Sequence, residues 1–276
     1  MDYQRRFRQA AIERGLPPDE IGEFAELLRF EIRTGPRFDG VPVGQFRGLP
    51  RLAVGTRWPS TEWAPLPFVT SYDCAALPRV DGLALPADGS LLFFLDHEPA
   101  YEASSWSDDE ATNIAEEQKH ARVVYVPAGA GTVVVEEPED AEPVGTTEAP
   151  FTAERTELFA TVVPVLPWSG HEPRVSDSQE YEECALPHKE ELRALVAELW
   201  PTPGGFSYLT VGGYTRDAGS PEGTPEQRLG VDRREWTQLA RFSRQDGLYE
   251  TSFMIRNDHL AARRFDEALS FTSFTE

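Results

Sequence analysis

Lysine is nearly missing from this sequence. Lys119 and Lys189 are the only two, so almost all of the positive charge is arginine, a skew that reports a GC-rich genome more than a function. Cysteine is scarce too. Cys74 and Cys184 lie far apart and in no metal-type spacing, which leaves no zinc motif and no disulfide framework to read. No apolar run approaches the length that spans a bilayer. The opening Met1-Asp2-Tyr3-Gln4-Arg5-Arg6 leads into no apolar stretch either. Neither a membrane span nor a signal peptide is expected, and a cytoplasm with reduced thiols is the expected location. The glycine pair in Pro127-Ala128-Gly129-Ala130-Gly131 lacks the G-x-x-x-x-G-K spacing of a phosphate loop. Ser104, Ser105 and Ser107 lack the G-x-S-x-G turn that exposes a hydrolase nucleophile. His97, His120, His171, His188 and His259 offer no pair at metal-ligand spacing. No metal, no cofactor and no catalytic set is expected, and the reading leans away from an enzyme.

What the sequence has in excess is negative charge, and that charge is not spread evenly. The net charge is −21. Residues 96–200 hold 24 acids against 6 bases, or −18; the remainder holds 23 acids against 20 bases, or −3. A chain poor in clustered Arg and Lys is a poor match for phosphate backbones or anionic membranes, so neither nucleic acid nor membrane is expected as a partner. Its length of 276 residues lets it bury roughly three quarters of its unfolded surface without covalent staples.

The stretch from Phe46 to Asp96 organises the rest. Prolines break its short apolar runs, and Asp88-Gly89 is a turn signal feeding Leu91-Leu92-Phe93-Phe94-Leu95. So short a run, rich in Phe and bounded by turn residues, predicts a strand buried on both faces. Several motifs recur in order: Gly48-Leu49-Pro50, Trp58-Pro59, the Pro65 to Asp73 run, Leu77-Pro78 and Gly89 to Phe94. Near the C-terminus come Gly213-Tyr214, Trp236-Thr237-Gln238-Leu239 and Asp258 to Phe265. In order and spacing they resemble the bacterial YwqG-like family, a domain of unknown function. Two positions depart from that family's pattern. Ser71 stands where a Gln is usual, and the turn at Asp246-Gly247-Leu248-Tyr249 is shortened. The resemblance implies little about activity; some neutralising partners of bacterial toxins are similar to YwqG-like proteins.

Residues 2–34 read as two helices. Pro17-Pro18-Asp19-Glu20 starts the second, and Ile21, Phe24, Leu27, Leu28 and Ile32 form one apolar stripe. Residues 97–118 read as a polar loop. Hairpin-type strands are expected at Arg122–Val126 and Thr132–Val135, then a solvated acidic segment from Glu136 to Pro143. A strand at 158–166, a helix at 188–200, a strand at 206–211 and a long loop from Gly212 to Gly230 follow. Trp236 to Phe242 and Leu248 to Arg256 read as paired strands. A faint echo links Phe68–Asp73 and Gly89–Leu95 with Leu239–Ser243 and Gly247–Ile255, as an ancient duplication would. The expected architecture is one α+β domain over residues 1–276. A helical segment at 1–35 covers one side of a sheet-rich body at 36–276, whose strands form a curved or two-layer, mostly antiparallel sheet; its acidic middle spans 96–200.

Four residues are candidates for a ligand site: Asp73, His97, Tyr214 and Trp236. Asp73 ends an apolar run, where a carboxylate needs backbone donors or a cation; a structural hydrogen-bonding role is the plainer reading. His97 emerges where the Leu91–Leu95 strand runs out. Tyr214 lies in the long loop, and Trp236 follows it. Cys74 next to Asp73 invites a nucleophile reading, but nothing nearby in sequence would lower its pKa. Two functions compete. One is a non-enzymatic interaction protein whose acidity steers a cationic protein partner, such as a toxin held by its immunity protein. The alternative is a small-molecule binder or enzyme with a pocket near those four residues.

Overall fold

The computed structural model describes residues 2–136, 138, 155–167, 186–201, 209–215, 223–243 and 249–274. The chain begins with α1 (Tyr3–Glu13), capped by the Asp2 carboxylate on Arg5 N–H, and α2 (Pro18–Leu27), with proline in its first turn. Phe7 and Phe24 stack at 5.5 Å and join the two. The helical stripe ends there. Arg29–Gly35 is strand β1, so Ile32, expected on the second helix, lies in a strand. The run Phe30-Glu31-Ile32-Arg33-Thr34 alternates with period two, and β-branched residues suit a pleated surface better than a helix.

Strands β2 (Gly44–Phe46), β3 (Arg51–Ala53), β4 (Phe68–Asp73) and β5 (Ser90–Leu95) follow. The expected loop at 97–118 is instead helical: α3 (His97–Ala103), α4 (Glu110–Glu117) and a 3-10 turn at Gln118–His120. Then come β6 (Ala121–Val126), β7 (Thr132–Val134), β8 (Thr156–Val165), α5 (Lys189–Leu199) and β9 (Leu209–Gly212). The expected long loop holds α6 (Pro225–Leu229), closed by a Thr224–Gln227 capping box. The chain ends with β10 (Trp236–Ser243), β11 (Tyr249–Arg256), α7 (Asn257–Ala261) and β12 (Leu269–Phe274). Most of the acidic Glu136–Pro143 segment, and the first residues of the strand expected at 206–211, lie outside the described residues.

Ten strands form one antiparallel sheet in the order β12-β11-β10-β9-β1-β8-β2-β4-β5-β6, and β3 and β7 form a separate pair. The large sheet is barrel-like and nearly closed, and helices occur along the chain rather than mainly at its start, which corrects the expected layering. The edges β12 and β6 are drawn together through the α4 end. Gln118 Nε2 donates to the Ser270 carbonyl at 2.9 Å, and Ser270 N–H donates to Gln118 Oε1 at 2.6 Å. One glutamine thus imitates a neighbouring strand and satisfies an edge that would otherwise invite pairing. Inside, Phe93 meets Tyr72 at 6.0 Å and Phe242 and Phe253 each at 5.2 Å. A smaller cluster, Leu52, Leu66, Phe68, Leu92, Phe94 and Val126, lies where the β3–β7 pair covers the outer face of β4–β5.

Candidate functional site

The four residues singled out from the sequence do not share one cleft. Asp73 pairs with Ser90 at the start of β5, whereas His97 follows the end of that strand. Asp73 is exposed, and its Oδ1 accepts the Ala75 N–H at 2.9 Å, a turn-forming role. His97 is buried, with its ring 6.2 Å from that of Tyr249. Tyr249 begins β11, at the opposite end of the β10–β11 hairpin from Trp236. Tyr214 and Trp236 do sit at one sheet end: Tyr214 follows β9, whose Gly212 carbonyl accepts from Gln238, two residues after Trp236. Tyr214 donates its hydroxyl to the Leu27 carbonyl at 2.9 Å. The Arg29 and Arg233 guanidinium groups stand over its ring at 4.2 and 5.3 Å. A trough of about 590 Å³ runs along α1, lined by residues such as Arg5, Arg8 and Ile12, and none of the four lines it.

Cys74 is buried, and burial, reinforced by Asp73, pushes its thiol up to about 12. A thiol so disposed is a packing residue rather than a nucleophile.

The helices the sequence hid present an acidic surface. Between His97 and Glu117 there is no Lys or Arg, while Glu98, Glu102, Asp108, Asp109, Glu110, Glu116 and Glu117 all fall there. Glu110 and Glu117 meet Arg228, and Glu116 meets Lys119. Among the described residues no cation pairs with Glu98, Glu102 or Asp108. Trp106 stands between the two helices, 76% exposed. The effect of the charge is felt at the helix start: burial, reinforced by Glu98 and Glu102, pushes the Asp96 carboxyl up to about 6.

Beneath this surface lies a buried charged cluster. Glu117 is fully buried and its Oε1 accepts the Thr272 N–H of β12. Arg228 of α6 donates from Nε to Glu110 at 2.6 Å, and its Nη2 lies 3.2 Å from Glu117 Oε2 in an ion contact without hydrogen-bond geometry. The Arg228 guanidinium also covers the Phe271 ring at 5.1 Å. Burial outweighs the attraction of Arg228 and holds the Glu117 carboxyl up to about 8. The cluster fastens α4 and α6 to the edge strand. Sequence reading missed it because its members are far apart in the chain; a glutamate on the inward side of a capped helix was the available signal. Among the described residues no group of three or more His, Cys, Asp or Glu is arranged to hold a metal ion, and no helix is long and apolar enough to cross a membrane.

Fold and surface together define a single-domain mixed α/β protein with a nearly closed antiparallel sheet and an acidic helical flank. The chain belongs to the family described as a domain of unknown function, DUF1963, whose model matches residues 44–272. The match runs from the first residue of β2 into β12, leaving out α1, α2 and β1. A comparison with curated proteins returned no match.

Proposed function

We propose that this protein is a non-enzymatic interaction protein that meets a cationic protein partner through its α3–α4 surface. The observation that carries the reading is Trp106, 76% exposed in a stretch whose acids include Glu98, Glu102 and Asp108 and which has no Lys or Arg. An exposed aromatic in an acidic stretch suits a partner rich in Arg and Lys: the ring offers a cation–π face, and the charge accelerates encounter. The finer YwqG-like resemblance supports one version of this, a bacterial cytoplasmic protein that neutralises a basic toxin.

The test is a pull-down from native cytoplasm with wild type and with a Glu98→Lys, Glu102→Lys, Asp108→Lys variant, at low and high salt. A partner enriched at low salt, released at high salt and lost with the variant supports the reading. No enriched partner at either salt, or one the variant retains, rejects it. The alternative of a pocket built from Asp73, His97, Tyr214 and Trp236 is not favoured by their placement.

A further inference from the structure

The two ends of the large sheet offer an internal control. On the outer face of β4–β5, Phe68, Leu92 and Phe94 are apolar, are packed with Leu52 of β3, and have Trp58 edge-on to Phe94 at 5.5 Å. The positions of the same register in β10–β11 are Gln238, Ser252 and Met254, and Arg241 stands where β4 carries Ser71. The polar ones among them, Gln238, Ser252 and Arg241, are still buried, with Gln238 at 2% and Arg241 at 5% exposure. Burying a cation and an amide costs more than burying the Phe and Leu that the same frame accepts elsewhere.

Gln238 Nε2 donates to the Gly212 carbonyl at 2.7 Å. That bond fixes the amide, because only its NH2 side can donate. The Gln238 Oε1 is left buried with no partner. One row along, Thr210 of β9 lies directly between Arg33 of β1 and Arg241 of β10. Arg241 reaches Thr210 Oγ1 from Nε at 3.4 Å and Glu250 from Nη1 at 3.3 Å; Arg33 reaches Glu31 from Nε at 2.8 Å. Among the described residues no hydrogen bond engages Nη1 or Nη2 of Arg33, or Nη2 of Arg241. The two carboxylates orient the guanidinium groups and leave donors to spare.

We propose that this face binds a small molecule carrying a carboxylate or phosphate group and a hydrogen-bond donor. The oxyanion sits between Arg33 and Arg241 beside the Thr210 hydroxyl, in the geometry guanidinium groups favour. The donor meets Gln238 Oε1. Glu31 and Glu250 balance the local charge, which selects a small anion over a polyanion. The site goes beyond the acidic surface proposed above and does not depend on it.

The test titrates the full chain with inorganic phosphate and, separately, with lactate, which carries a carboxylate and a hydroxyl. The arginine Nε–Hε resonances report binding. One or both probes shift the Arg33 and Arg241 signals, and affinity falls about tenfold or more in Arg33→Gln, as loss of a charge-assisted bond requires. Arg241→Lys keeps a cation beside Glu250, so it folds even where larger changes do not, and it also weakens binding. A response to phosphate alone assigns a phosphoryl ligand, and a response to lactate alone a carboxylate. No shift with either probe up to tens of millimolar, or binding that both variants leave unchanged, overturns the proposal.

Discussion

In β4–β5 the strand pairing slips between Phe68 and Thr70; in β10–β11 it slips between Gln238 and Ala240. Counted from that bulge, Tyr72 corresponds to Phe242 and Phe93 to Phe253, and these four rings form the centre of the core. The correspondence extends outward. Arg47 and Gly48 after β2 are left-handed, with φ of 62° and 71°, as are Gly212 and Gly213 at the end of β9, with φ of 75° and 86°. A Cβ on Gly48 would stand 2.8 Å from Arg155, and one on Gly213 2.9 Å from Glu31. The strand order β12-β11-β10-β9-β1 mirrors β6-β5-β4-β2-β8, with β1 and β8 each lying beside the other half's strands. The shared register and bulge fit the echo of a duplicated unit, whose second turn, at Gly247, lies outside the described residues. The halves differ on the outside: β4–β5 is roofed and apolar, while β10–β11 is polar. A common frame fixes the backbone, and the outer side chains are then free to specialise.

The most severe way to break that comparison is to strike its centre. Phe93→Ala and Phe253→Ala should each cost about 3–5 kcal/mol, read by chemical denaturation. Because the rings touch, the double mutant should cost less than the sum of the two. A much smaller cost for Phe253 would show that the second hairpin is peripheral. Next, Arg241→Met should cost about 3–5 kcal/mol by leaving Glu250 without its cation, whereas Arg241→Met with Glu250→Leu should recover most of that loss. If the double change is as damaging as the single, the polar face is needed for folding and the contrast between halves loses its meaning.

Smaller effects sharpen it. Gly48→Ala and Gly213→Ala should each cost about 1–3 kcal/mol through a forced positive φ and the close side chain, and by similar amounts if the turns are equivalent. Glu117 ties α4 to β12, and its folded pKa of about 8 lies above the unfolded carboxylate value. Its contribution is therefore fully present below the unfolded pKa, near 4.5, and is lost as pH rises through about 8. Glu117→Gln should flatten the fall in stability across that window, measured as denaturation midpoint against pH; an unchanged profile would discount the buried carboxyl. The smallest effect on stability is expected at the surface. Trp106→Ala should shift folding by less than about 0.5 kcal/mol while weakening capture of a cationic partner.

Much of the frame was legible. The Asp88-Gly89 turn, the buried Leu91–Leu95 strand and the pairing of β10 with β11 are local patterns of period two and turn chemistry. The α3–α4 region was not. Pro99 sits in the first turn of α3, and the inward side of α4 carries Asn113 and Glu117 instead of an apolar stripe. A helix that buries polar residues gives no hydrophobic periodicity to read. The opposite error came at Ile32, whose spacing fits a helix stripe and a strand equally well. Of the candidate site residues, Tyr214 and Trp236 come to one sheet end, but Asp73 and His97 stand at opposite ends of β5, a separation that no local pattern encodes.

Sequence alone determined where the chain turns, which runs extend, where glycine must stand and where negative charge accumulates. These follow from backbone sterics and composition, which act over a few residues. Only the tertiary structure decided that Phe68 and Gln238 occupy one register under different surroundings, and that Glu117 meets Arg228. Burial and pairing depend on whatever distant segment arrives opposite a side chain, and the side chain's own neighbours in sequence carry no record of it.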